Sequence, residues 1–178
     1  GRPADPVCSS FLVAAQQALL FGGDRETVAR AYDSFAAWTE CLRRTGGDSW
    51  TVGYTYYGDW AGPADACRSM EDARSSSVDG LLMSTGYLYF NYTLLAQFAR
   101  VLGREDDAAR FDECAAHVRD ALLARWYHPE TCTLDTGSQS AQAFGLWLKV
   151  IPEADRARAA ERMKDAVVDA GMRLTTGN

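Results

Sequence analysis

Residues 49–62 read SWTVGYTYYGDWAG and bring Trp50, Tyr54, Tyr56, Tyr57 and Trp60 within eleven residues, around one carboxylate, Asp59. A sugar ring offers an apolar C–H face on which an indole or phenol stacks, and hydroxyls that donate to an ionised carboxylate. Tyr57, Asp59 and Trp60 supply both kinds of group. The same residues also admit a purely structural role. Trp50, Tyr54 and Tyr56 can close the open end of a hydrophobic core, and Asp59 can serve as a turn or capping residue. The local sequence leaves both roles open.

Other chemistry-bearing residues are weaker candidates. Glu71 and Asp72 lie in RSMEDARSSS, a polar stretch expected to be solvated, and Glu130 and Asp135 fall in turn-like HPETCTLDTG. His117 sits among helix charges and His128 precedes Pro129. Neither has the Ser or Cys neighbours of a nucleophilic triad, and no spacing of His, Asp and Glu indicates a metal. No glycine loop of the phosphate-cradling type occurs, so no cofactor is expected. Gln142, at the start of an apolar helix, can point an amide into a cavity or bond a neighbouring loop.

The elements that must position these residues are helical. The chain has 178 residues, 47% hydrophobic and 24% charged, with a formal net charge of −6. That composition suits one globular domain over 1–178 and provides no basic stripe for nucleic acid or anionic lipid. FLVAAQQALLF is too short and too polar to span a membrane, and the start, GRPADPVC, lacks a secretory pattern. Five cysteines, an odd number without a CxxC pair, fit reduced thiols and a cytoplasmic location.

Apolar periodicity predicts six helices, over 10–21, 25–44, 78–102, 106–126, 140–150 and 153–170, with almost no strand signal. The second, fourth and sixth are one-sided. In the second, Val28, Tyr32, Phe35, Thr39 and Leu42 form a stripe; in the sixth, Ala160, Met163, Val167 and Ala170 do. The third, VDGLLMSTGYLYFNYTLLAQFARVL, is apolar around nearly its whole circumference, and the first and fifth are poor in charge. Helices that are apolar all round are buried, so buried and surface helices alternate.

Short turns follow each buried helix, and long segments, 45–77 and 127–139, lead into the next. Antiparallel hairpins then gather the long loops beside the amino ends of the buried helices, where a binding site is expected. The alternation fits a helical toroid, an (α/α)6 barrel, and six helices make three hairpins, half of one. A tetratricopeptide-like array is disfavoured because the buried helices begin near 10, 78 and 140, without a fixed period.

Four ordered blocks resemble bacterial α-L-rhamnosidases of glycoside hydrolase family 78. They are YYGDW (56–60), LMSTGYLYFNYTLLAQFARVLGREDDAARF, TGSQSAQAFGLWLKVIPEADRARAAERM and RLTTGN, and the resemblance covers about 20–178. It implies an all-α, half (α/α)6 barrel that forms part of a catalytic domain. It also implies inverting hydrolysis of terminal α-L-rhamnosides, in which one glutamate acts as general acid and another as general base, roughly 6.5–9.5 Å apart.

The family's general acid belongs to an acidic motif upstream of the first helix here, and its general base follows the LTTG segment. The sequence contains neither motif, so the chain is expected to be inactive alone. Carry-over is confined to the sugar pocket, where Asp59 would bond hydroxyls, Tyr57 and Trp60 would form a wall, and Gln142 is a further candidate. The expected partner is a rhamnosyl glycoside bound by a longer parent, with a homodimer through exposed apolar edges as a second expectation. Another (α/α)-barrel carbohydrate enzyme and a non-catalytic helical scaffold are the alternatives.

Overall fold

A computed structural model describes residues 9–177. Six helices carry the chain: α1 (Ser10–Gly22), α2 (Arg25–Arg44), α3 (Gly80–Leu102), α4 (Glu105–Trp126), α5 (Gln139–Trp147) and α6 (Arg156–Asp169). A minimal antiparallel pair, β1 (Tyr127–His128) and β2 (Thr133–Leu134), lies between α4 and α5. The described residues divide into two compact units, one of residues 9–54 and 87–121 and the other of 55–86 and 122–177; the divisions fall inside α3 and α4.

In the first unit, α1 ends at the Gly22-Gly23 pair, where the Gly23 amide donates to the Leu19 carbonyl at 3.0 Å. Asp24 opens α2 as an N-cap, accepting from the Thr27 amide at 2.9 Å. This satisfies an amide that the helix start would otherwise leave unpaired. Val28, Tyr32, Phe35, Thr39 and Leu42 are the buried residues of α2, the stripe that periodicity predicts. Val28, Tyr32, Phe35 and Leu42 pack with Leu12, Leu95, Phe98, Phe111 and Val118 in one core.

Both parts of α3 follow the prediction of all-round burial, since Arg100 is its only exposed residue. Asn91, which begins an Asn-Tyr-Thr sequon, is fully buried and donates to Ser9 Oγ at 3.0 Å. A buried amide of this kind is closed to glycosylation. α1 is less covered than its composition predicts: Leu12 and Ala15 are buried, while Leu20 and Phe21 are exposed, Phe21 by 86%.

In the second unit, α5 packs against α6. Ser138 caps α5, and Pro152 opens a short 3₁₀ turn (Glu153–Asp155) before α6 begins. Asp79 caps α3, accepting from the Leu81 amide at 2.9 Å, while the Ser77 amide donates to Ser75 Oγ. The stripe expected in the sixth helix is corrected at its first member: Ala159 is the buried residue of α6 and Ala160 is exposed, while Met163, Val167 and Ala170 are half-buried. Residues 50–56 form no strand. Trp50 adopts a left-handed φ of 55°, and Thr51 and Val52 are both buried.

Candidate functional site

The aromatic loop is shared between the two units. Trp50 belongs to the first, where its ring stacks on His117 with centroids 4.7 Å apart and the Arg43 guanidinium lies 5.4 Å from its centre. These contacts make Trp50 a packing residue. His117, expected on the helix surface, is half-exposed and covers one face of that indole.

Tyr56, Tyr57 and Trp60 belong to the second unit and form a continuous aromatic corner. Tyr56 meets Tyr57 edge-on with centroids 4.5 Å apart, and Tyr57 meets Trp60 at 4.8 Å with planes 73° apart. Edge-to-face pairing of this kind holds rings rigid without burying them completely. Tyr57 and Trp60 are both half-buried.

Backbone geometry places this corner beside the amino ends of two helices. Gly58, with φ 65°, lies so close to Gly80, the first residue of α3, that an added Cβ would stand 2.9 Å from the Gly80 Cα. Glycine at 58 permits that approach, and a Cβ on Gly80 would instead meet the Thr55 side chain at 2.7 Å. Asp59 accepts from the hydroxyl of Ser140, in the first turn of α5, at 2.6 Å. The long segments also meet here, since the Asp79 amide donates to Asp135 Oδ2 at 2.8 Å and Thr136 donates to the Ser77 carbonyl.

The loop itself is bridged. Ser75 donates to the Asp59 carbonyl at 2.8 Å, Ala61 donates to the Ala73 carbonyl at 2.9 Å, and Trp60 pairs with Arg74. Asp72, in the polar stretch expected to be solvated, receives the Arg74 Nε–H at 2.7 Å. That guanidinium holds its carboxyl well below the usual range, at about 2, against opposing desolvation. Glu71 and Glu130 are exposed.

The four residues singled out from sequence have different surroundings. Tyr57 and Trp60 touch. Asp59, between them in sequence, is 5% exposed, and its second oxygen, Oδ1, accepts from the Gly177 amide at 2.8 Å. Gln142 is fully buried. Its Oε1 accepts from the Leu134 amide at 2.6 Å, and its Nε2 donates to the carbonyls of Cys132 at 3.1 Å and Ala159 at 3.2 Å. All three partners are backbone groups outside the aromatic loop, so the amide ties β2 and α6 to α5.

Sequence reasoning missed Gln139, Ser140 and Gly177. Gln139 accepts from the Thr175 amide at 3.1 Å and donates to the carbonyls of Arg173 and Ala166 at 2.9 and 3.1 Å. The available signal was the run SQSAQ, four polar side chains at the cap and opening turn of an otherwise apolar helix.

Among the described residues, no group of three or more His, Cys, Asp or Glu is placed to hold a metal ion, and no helix is long and apolar enough to cross a membrane. A surface hollow of about 610 Å³ in the first unit, lined by Glu40, Cys41, Arg44, Tyr92, Arg110 and others, contains none of the predicted site residues.

Residues 8–178 match the bacterial alpha-L-rhamnosidase 6 hairpin glycosidase domain. The chain belongs to this family. Its three helical hairpins, α1–α2, α3–α4 and α5–α6, are therefore part of an (α/α)6 barrel. A curated alpha-L-rhamnosidase of Streptomyces avermitilis is 27% identical over 155 residues, which cover 87% of this chain and 14% of that protein.

Among solved structures, the alpha-L-rhamnosidase of Dictyoglumus thermophilum aligns with a TM-score of 0.87 at 23% identity. That alignment covers 99% of this chain and 20% of the other. The Streptomyces avermitilis enzyme, solved in complex with L-rhamnose, aligns with a TM-score of 0.74 at 26% identity, over 87% of this chain and 14% of that one. The Aspergillus terreus enzyme gives 0.77 at 19%, over 87% and 18%. The chain thus spans between 14% and 20% of the length of these relatives.

Proposed function

We propose that this three-hairpin segment forms one wall of the sugar pocket in a parent α-L-rhamnosidase that removes terminal α-L-rhamnose with inversion. The observation that carries the reading is the Tyr57–Trp60 corner, set beside the starts of α3 and α5 in a chain of this family. Half-buried rings held edge-on present a rigid apolar surface at little further entropic cost, which suits the C–H face of a deoxy sugar. The amino ends of α3 and α5 add partial positive charge that favours hydroxyl oxygens.

The segment binds and orients substrate but does not cleave it alone. Carboxylates around the corner are engaged by the protein: Asp59 by Ser140 and Gly177, Asp72 by Arg74, Asp79 by Trp126 and Leu81, and Asp135 by the Asp79 amide. An inverting site needs one proton-donating and one water-activating carboxyl across a gap of roughly 6.5–9.5 Å. In this reading the parent supplies that pair outside the segment.

The test uses the full-length parent with 4-nitrophenyl α-L-rhamnoside, following the anomeric proton of released rhamnose by NMR. The β-anomer should appear first, Trp60→Ala should lower kcat/KM by about thirtyfold or more, and the isolated segment should release no nitrophenol. Initial release of the α-anomer, or a Trp60→Ala enzyme with unchanged kcat/KM, overturns the reading.

A further inference from the structure

Residues 173–177 have no regular secondary structure, yet they are tied down along their length. Gln139 holds the Arg173 carbonyl and the Thr175 amide with its two amide atoms, at 2.9 and 3.1 Å. The Arg173 guanidinium pairs with Asp65 at 2.7 Å, which raises the one pKa and lowers the other. Gly177 donates to Asp59 Oδ1 at 2.8 Å.

Contact at Gly177 is close enough to exclude a side chain. An added Cβ would stand 2.0 Å from the Trp60 carbonyl oxygen and 2.7 Å from Asp59 Oδ1. A clash with backbone has no flexible partner to yield, so only glycine fits there. On its other side the Asp59–Ala61 backbone is bonded to Ala73 and Ser75. The peptide that carries the Trp60 ring is therefore gripped between two runs of chain.

From this geometry we propose that residues 173–177 form a strap that fixes the Tyr57–Trp60 corner, with Asp59 and Gln139 as its positioning residues. Asp59 acts on the sugar through Trp60 and does not bond a sugar hydroxyl itself. A carboxylate that is 5% exposed, with each oxygen already accepting from a protein donor, presents too little surface to a ligand. Gln139 serves the same end at the upstream half of the strap, where it is buried and its amide is held by three protein partners. The inference rests on the rhamnosidase reading for its substrate, and on hydrogen-bond geometry alone for the strap.

The experiment compares Asp59→Ala, Gly177→Ala and the double variant in the full-length parent, with kinetics on 4-nitrophenyl α-L-rhamnoside and amide hydrogen exchange of the peptide over 172–177. Each single variant should raise KM by about tenfold with kcat little changed. The double variant should be no worse than either single, because both release the same contact. Exchange over 172–177 should speed up in both singles while peptides from α2 keep their protection. A direct sugar ligand at Asp59 predicts a Gly177→Ala enzyme with unchanged KM and additive effects in the double variant, and that result overturns the strap. Unaltered exchange in both singles overturns it as well. A wild-type parent that fails to cleave the rhamnoside sinks the rhamnosidase reading, while the exchange comparison still decides the strap.

Discussion

The Ser140 hydroxyl donates to Asp59 Oδ2 at 2.6 Å, a buried bond between residues 81 positions apart. It couples the start of α5 to the aromatic loop. Replacing Ser140 by alanine removes a donor to a buried carboxylate and leaves that oxygen without it. The expected loss is about 1.5–3 kcal/mol in urea unfolding, with much of it restored by Ser140→Thr, which keeps a hydroxyl. A loss below about 0.5 kcal/mol would show that the bond carries no net stability.

Gln142 makes three bonds to backbone groups from a fully buried position. Gln142→Leu keeps much of the volume but strands the Leu134 amide and weakens the hold on the Cys132 and Ala159 carbonyls. A destabilisation of about 2–4 kcal/mol is expected by the same unfolding measurement. Near-neutral stability would mean that water or a shifted neighbour takes over these bonds.

Among the described cysteines, Cys41 is exposed, Cys114 and Cys67 are half-buried, and Cys132 is buried. Burial also pushes the Cys114 thiol up, which lowers its thiolate fraction at neutral pH. With an aromatic disulfide reagent at pH 8, the order of reaction is expected to be Cys41 before Cys114, with Cys132 silent until denaturation. Cys41→Ala should remove the faster of the Cys41 and Cys114 phases; its persistence contradicts the assignment.

Arg74 lowers the Asp72 carboxyl from 3.8 to about 2 in the folded chain. A depressed carboxyl stabilises the fold above its unfolded pKa and loses that contribution as pH falls through the folded one. The contribution should therefore be intact above pH 3.8 and fade toward about 2. Carbon-detected NMR of the Asp72 carboxyl should show a midpoint near the lower value, and Arg74→Met should return it toward the higher one. A midpoint that does not move in Arg74→Met removes the guanidinium as the cause.

The sequence by itself determined the six helices, the buried stripe of α2 and the all-round burial of α3. Each of these depends on residues three or four positions apart, so periodicity records them. The Tyr57–Trp60 corner was legible for the same reason, since both rings lie on one short turn. Even a local rule slipped by one position in α6, where Ala159 rather than Ala160 is buried.

Tertiary structure alone decided that Trp50 packs on His117, that the Gln142 amide bonds to backbone, and that Asp59 takes Ser140 and Gly177 as its partners, the second of them 118 residues away. A carboxylate's type states that it accepts hydrogen bonds. Which donors reach it is set by how distant helices and segments pack, and that information is spread over the whole chain rather than held near Asp59.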